Sequence, residues 1–208
     1  MTFQEYQKLR EQADVLLEKI FDYNQSNMNR DMKFVAKRLG IWSDGAIVAE
    51  SEEDGEVIMD YILHEKNPDG KRLVDDFYDY GPELDDSLEE IALSHTEAFA
   101  SVFLVDSVNP KSKTVVVEDQ LDGELTRYEI MNEALANSAT PETPVFLRLV
   151  PFKGMNVTTG VPIMFSEYSY GEFKKGLSLL RMKKRGNVSP EDLFVLAFKR
   201  GDVGTTEG

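Results

Sequence analysis

A chain of 208 residues that is 41% hydrophobic can bury a core of its own, and the complete lack of cysteine excludes disulfides, thiolate metal sites and a cysteine nucleophile. No run approaches the roughly 20 apolar residues of a membrane span, and Met1-Thr2-Phe3-Gln4-Glu5 has neither the basic nor the apolar region of an export signal, so the sequence reads as that of a cytoplasmic protein with no membrane partner. The net charge of −15 is concentrated: Asp44 to Glu97 holds 18 acids against three bases, a net of −15, whereas Gly171 to Arg200 holds eight bases against three acids, a net of +5. Two readings of these acids stand side by side. They are either solvated helix faces against which a basic C-terminal helix docks, or an acidic surface that attracts a basic protein partner. Both disfavour generic nucleic-acid binding.

Thr2 and Glu5 have capping-box spacing, and Phe3, Tyr6, Leu9, Leu16 and Ile20 then recur at helical intervals, which predicts a helix to about Tyr23. A second short helix is expected from Asp31 to Leu39, closed by Gly40. Gly45 to Glu50 alternates briefly enough for a strand. Ser51 with Asp54 opens a further helix that buries Val57, Ile58, Tyr61 and Ile62 before the turn Asn67-Pro68-Asp69-Gly70. Leu73, Val74, Phe77 and Tyr78 form another helical stripe, ended by Gly81-Pro82, and Leu84, Leu88, Ile91 and Ala92 form the next.

After Phe99 the period changes from 3.6 to β-rich runs. Val102 to Val105, Thr114 to Val117, the alternating Thr126, Tyr128 and Ile130, Val145 to Phe152, and Met155 to Phe165 with its Gly160 and Pro162 read as five strands. Asn109-Pro110-Lys111 and Asp122-Gly123 supply the first turns. Short strands on tight turns imply a small antiparallel barrel or a curled sheet. Ser169 with Glu172 is read as the capping box of a helix running to Gly186-Asn187, and Ser189-Pro190-Glu191-Asp192 starts a last helix closed by Gly201. The fold class is therefore α+β: an acidic helical region over 1–98, a β-rich region over 99–168 and two C-terminal helices over 169–201 that pack on the rest as one unit.

Between about Phe77 and Tyr168 the order of features resembles a group of uncharacterised bacterial proteins. An acidic helix (Leu88-Glu89-Glu90-Ile91-Ala92-Leu93) leads to an apolar strand (Ser101-Val102-Phe103-Leu104-Val105), then to Val117-Glu118-Asp119-Gln120-Leu121 and to an Arg-bearing strand ending in proline (Phe146-Leu147-Arg148-Leu149-Val150-Pro151). Members of that group often carry a zinc-binding SEC-C tail or derive from plasmid open reading frames. The resemblance implies the architecture. It carries over no zinc function, because this sequence has no cysteine, and no catalytic residue.

No phosphate loop, dinucleotide fingerprint or nucleophile elbow occurs, so the sequence names no catalytic residue and no cofactor and leans away from an enzyme. The two histidines have bland readings: His64 at a helix end in favourable contact with the helix dipole, His95 as a satisfied structural side chain. Asp75, Asp76, Asp79 and Glu83 are weak candidates for magnesium or calcium ligands, although their spacing does not match a calcium loop. Asp85, Asp86, Glu89, Glu90 and Arg148 are the weak candidates for partner binding; Arg148 either pairs with an acid of the helical half or lines a groove. Trp42 is read as a core or inter-segment anchor. Three functional readings follow: a non-enzymatic protein-binding or adaptor module, a metal-dependent hydrolase built on the acidic cluster, and an acidic mimic of nucleic acid.

Overall fold

Thr2 opens the chain as the spacing predicts, its hydroxyl accepting from the Glu5 amide at 3.3 Å while the Glu5 carboxylate accepts from the Thr2 amide at 2.6 Å. The computed structural model describes residues 1–49 and 51–203, and its chain divides into two compact units: Met1–Ala98 with Val150–Val157, and Phe99–Leu149 with the chain from Thr158 onward. Among the described residues, no helix is long and apolar enough to cross a membrane.

In the first unit α1 (Phe3–Tyr23) buries Tyr6, Leu9, Leu16 and Ile20. Helix α2 (Met28–Leu39) begins three residues before the expected Asp31. Asp31 itself is only 2% exposed and accepts from Asn24 Nδ2 at 3.1 Å and Arg30 Nε at 2.9 Å, so its carboxylate ties the end of α1 to the first turn of α2. Gly40 ends α2 at φ 88°, a left-handed conformation that glycine adopts without a Cβ clash. The brief alternation that follows forms only β1 (Trp42–Ser43) and β2 (Ala46–Ile47), paired about Asp44 and Gly45, which both have positive φ as a tight hairpin turn requires. Glu50, the end of the strand expected there, lies outside the described residues. Ser51 caps α3 (Glu52–His64), and α4 (Leu73–Tyr80) and α5 (Asp86–Thr96) complete the helices of this unit. Each presents an apolar stripe inward, led by Ile58 and Tyr61, Val74 and Phe77, and Ile91 and Ala92.

The second unit contains β3 (Phe99–Asn109), β4 (Thr114–Asp119), β5 (Arg127–Met131), α6 (Glu133–Ser138), most of β6 (Pro144–Phe152) and of β7 (Met155–Met164), α7 (Glu167–Lys183), α8 (Pro190–Arg200) and β8 (Asp202–Val203). The strands are ordered β5-β4-β3-β6-β7-β8, and an added pairing of β5 with β7 closes the first five into a barrel. Phe103, Val105, Val115, Val117, Ile130 and Leu147 alternate inward and fill the interior. Helix α6, which the sequence pattern did not reveal, adds Leu135 and Ala136 to that core. Asn132 sets it in place: its Oδ1 accepts from the Leu135 amide at 2.8 Å and its Nδ2 donates to Thr158 Oγ1 at 2.7 Å.

Helix α7 corrects one expectation. Its cap is Ser166, whose hydroxyl accepts from the Ser169 amide at 3.1 Å, so Ser169 lies inside the first turn instead of before it. The cap of α8 is Ser189, in a full capping box with Asp192.

Two glycines separate space from flexibility. A Cβ on Gly81 would overlap the Phe77 carbonyl oxygen, whereas a Cβ on Gly55, within α3, meets nothing within 4 Å. In urea denaturation, Gly81→Ala is expected to destabilise the fold by about 1–3 kcal/mol. Gly55→Ala is expected to stabilise it by about 0.5–1 kcal/mol, as removal of an interior helical glycine should. Equal effects of the two changes would contradict this packing at the end of α4.

Candidate functional site

The acidic residues of α4 and α5 divide into those that hold the helices and those that face solvent. Asp75 receives Arg72 through two bonds, from Nε at 2.7 Å and from Nη2 at 2.5 Å, and the same guanidinium donates to the Thr96 carbonyl at 2.6 Å. The start of α4 is thereby fastened to the end of α5. Asp76 accepts from Lys71 Nζ at 2.8 Å and, through its other oxygen, from the Tyr23 hydroxyl at 3.1 Å. Asp85 is the N-cap of α5 and accepts from the Ser87 and Leu88 amides, both at 3.1 Å. Glu90 meets Lys153 at 2.8 Å. Asp79, Glu83, Asp86 and Glu89 are exposed.

Among the described residues, no group of three or more histidine, aspartate and glutamate side chains is placed to hold a metal ion. The metal candidates Asp75 and Asp76 are turned onto basic partners, and Asp79 and Glu83 lie on the surface.

The hydrogen bond from Lys71, with those of Tyr23 and the Coulomb attraction of Lys71, outweighs burial and holds the Asp76 carboxyl below the usual aspartate range. Burial, and then the bond to Asp76, pushes the Tyr23 phenol up. Because folding depresses the Asp76 carboxyl, its stabilisation is complete above the unfolded aspartate value of about 3.9 and is lost as pH falls through the lower folded value. Asp76→Asn is therefore expected to cost about 1 kcal/mol at neutral pH. In urea melts at stepped pH, the gap between variant and wild type should close below about pH 4. A gap that stays constant into strong acid would remove Asp76 from this role.

The two histidines, far apart in sequence and separately unremarkable, are brought together. His64 Nε2 lies 3.1 Å from His95 Nδ1, and the rings are inclined by 15°. His64 Nδ1 lies 3.1 Å from Asp60 Oδ1 and 3.3 Å from the Asp60 carbonyl. Both of these partners are acceptors, so His64 Nδ1 must carry a proton and donate. One further proton then lies between the rings, on His95 Nδ1 in the neutral pair or on His64 Nε2 when His64 is charged. The relay runs Asp60–His64–His95, with His64 at 1% exposure and His95 at 4%. Its position at the C-terminal turns of α3 and α5 fixes the two helix ends to each other.

The inward placement of each histidine, though not their contact, had a signal in the sequence. His64 continues the Val57, Tyr61 stripe of α3 at helical spacing, and His95 continues the Leu88, Ile91 stripe of α5, so both face inward.

His95→Ala would remove the bond to His64 Nε2 and open a cavity, an expected loss of about 2–4 kcal/mol in urea unfolding. His95→Asn keeps a donor near the Nδ1 position and should recover part of that loss. Equal, near-zero effects of both substitutions would argue that the bond between the rings contributes nothing.

Arg148, on β6 opposite Ala100 of β3, is buried, and its guanidinium carbon lies 5.8 Å from the centre of the Phe194 ring of α8. Phe194 in turn packs edge-on against Phe146 at 5.3 Å. The residue thus stands on the outer side of the barrel wall, alternate to the inward Leu147 and Leu149. Trp42 is half-buried on β1, with the Lys33 ammonium 5.2 Å from its ring centre.

An exposed acidic segment and a buried histidine pair on a helical unit, with a closed five-stranded barrel in the second unit, define this α+β protein. The chain belongs to the family of unknown function DUF7986, which it matches over residues 1–199. No curated protein and no solved structure matches it.

Proposed function

We propose that this protein is a non-enzymatic protein-binding module whose acidic helical unit takes up a lysine- or arginine-bearing segment of a protein partner. The observation that carries this reading is at the end of α4. The Tyr80 ring is 71% exposed and already receives a cation: Lys71 Nζ lies 5.5 Å from its centre while bonding Asp76 at 2.8 Å. A partner's basic side chain would meet the same combination of carboxylates and aromatic face along Tyr78 to Glu89, where Asp79, Glu83, Asp86 and Glu89 are exposed. The sign of this surface also opposes anionic membranes and nucleic acid.

The reading is tested with a labelled lysine- and arginine-rich peptide in fluorescence anisotropy. Binding is expected at low salt and should weaken steadily with added salt. The pair Asp79→Lys with Glu83→Lys should weaken it by about tenfold or more, equivalent to about 1.4 kcal/mol. The same charge change on the other unit, Glu124→Lys with Glu129→Lys, should have a much smaller effect. Tyr80→Ala should weaken binding with no change in net charge. Equal losses from the two charge reversals would reduce the effect to net charge and sink the assignment to this segment.

A further inference from the structure

We infer that α7 pairs antiparallel with the α7 of a second copy of this chain, about a twofold axis close to Lys175. Helix α7 buries Phe173 and Leu177 on one face. On the opposite face Tyr168, Leu179 and Met182 are 80%, 63% and 70% exposed. Together with Glu172 and Lys175 these residues recur at intervals of four, three, four and three, which is the spacing of a heptad seam along one side of a helix. A single exposed apolar side chain is ordinary on any surface. Three on one seam, facing away from the core, form an unpartnered strip.

The charge along α7 selects the occupant. Glu167 and Glu172 lie in its N-terminal half, whereas Arg181 and Lys183 lie in its last turn and Lys184 and Arg185 follow directly. A parallel copy would set like charges beside like. An antiparallel copy sets the acids of each helix beside the bases of the other and brings Tyr168 against Met182, a favourable thioether–ring contact. Each residue near the centre then meets its own counterpart, as in any isologous interface. The central Lys175 bonds Glu172 of its own helix at 2.8 Å, so the two central ammonium groups are already neutralised locally. A helix of 17 residues is about 25 Å long. One such pair buries less than the roughly 1,200–2,000 Å² of a standard interface, so the dimer is weak and depends on concentration.

Because the chain has no cysteine, introduced cysteines report on this geometry without background. Under mild oxidation, Lys175→Cys is expected to cross-link to itself, while Tyr168→Cys and Met182→Cys cross-link to each other on mixing and poorly alone. Sedimentation velocity should show a dimer growing with concentration, and Leu179→Glu should weaken it by about tenfold or more with an unchanged circular dichroism spectrum. Monomers at every concentration would overturn the proposal, as would a dimer indifferent to Leu179→Glu. Self-linkage of Met182→Cys as fast as that of Lys175→Cys would indicate a parallel pair and would equally overturn it.

Discussion

A net charge of −15 within 54 residues is the constraint to which the helical unit conforms. Each of those carboxylates must be solvated, placed at a helix N-terminus or given a donor, because a buried charge without partners costs several kcal/mol (about that order for a partly relaxed site). The structure uses all three solutions. Asp85 and the first-turn acids of α3 sit at helix starts, where the backbone amides favour them. Asp75 and Asp76 recruit Arg72 and Lys71, two of the three bases in the segment. Asp60 is buried against His64, and Asp79, Glu83, Asp86 and Glu89 face water. The bases are thus committed to fixing α4 against its neighbours, and this leaves the exposed acids with a surface of one sign.

The same logic explains why the histidine pair is buried between helix ends and not displayed in a cleft. His64 directs its Nδ1 proton to the carboxylate and carbonyl of Asp60, one turn earlier in its own helix. Its second nitrogen is then available to bond across to α5. Two short helices gain a polar, directional contact in addition to the apolar one between their stripes, and that contact specifies their relative register in a way that nonspecific packing does not.

Much of the fold was legible because its local signals are strong. The capping residues Thr2, Ser51 and Ser189 each have a hydroxyl at the position that the backbone amides require, and the change of period after Phe99 marks the entry to the barrel. Helix α6 escaped because six residues are too few to show a period. The cap of α7 is Ser166, three residues before Ser169; both are good capping residues, and only the three-dimensional path shows which hydroxyl reaches the amide. The closing pair β5 with β7 and the contact of His64 with His95 join residues distant in the chain, and no local pattern encodes such contacts. The acidic candidates were visible as a composition. Their division into bonded Asp75 and Asp76 and exposed Asp79 and Glu83 depended on where Lys71, Arg72 and Tyr23 reach.

The groups around Tyr80 and along α7 are open to a second molecule. The barrel interior is filled by side chains of β3, β4, β5 and β6 and by α6. The relay of Asp60, His64 and His95, the arrangement nearest to a proton-transfer system, is enclosed to within a few per cent of full burial. A general base must come within hydrogen-bond reach of the proton it removes, and a ring at 1% or 4% exposure offers no such approach without opening of the helix ends. Exposed groups have no such barrier. Around Tyr80 they are carboxylates and a phenol face, suited to cations; along α7 they are an apolar seam with charge of both signs, suited to a copy of itself. The two surfaces differ in the forces that would act on them, so salt should weaken the first more steeply than the second, whose apolar contacts are not screened.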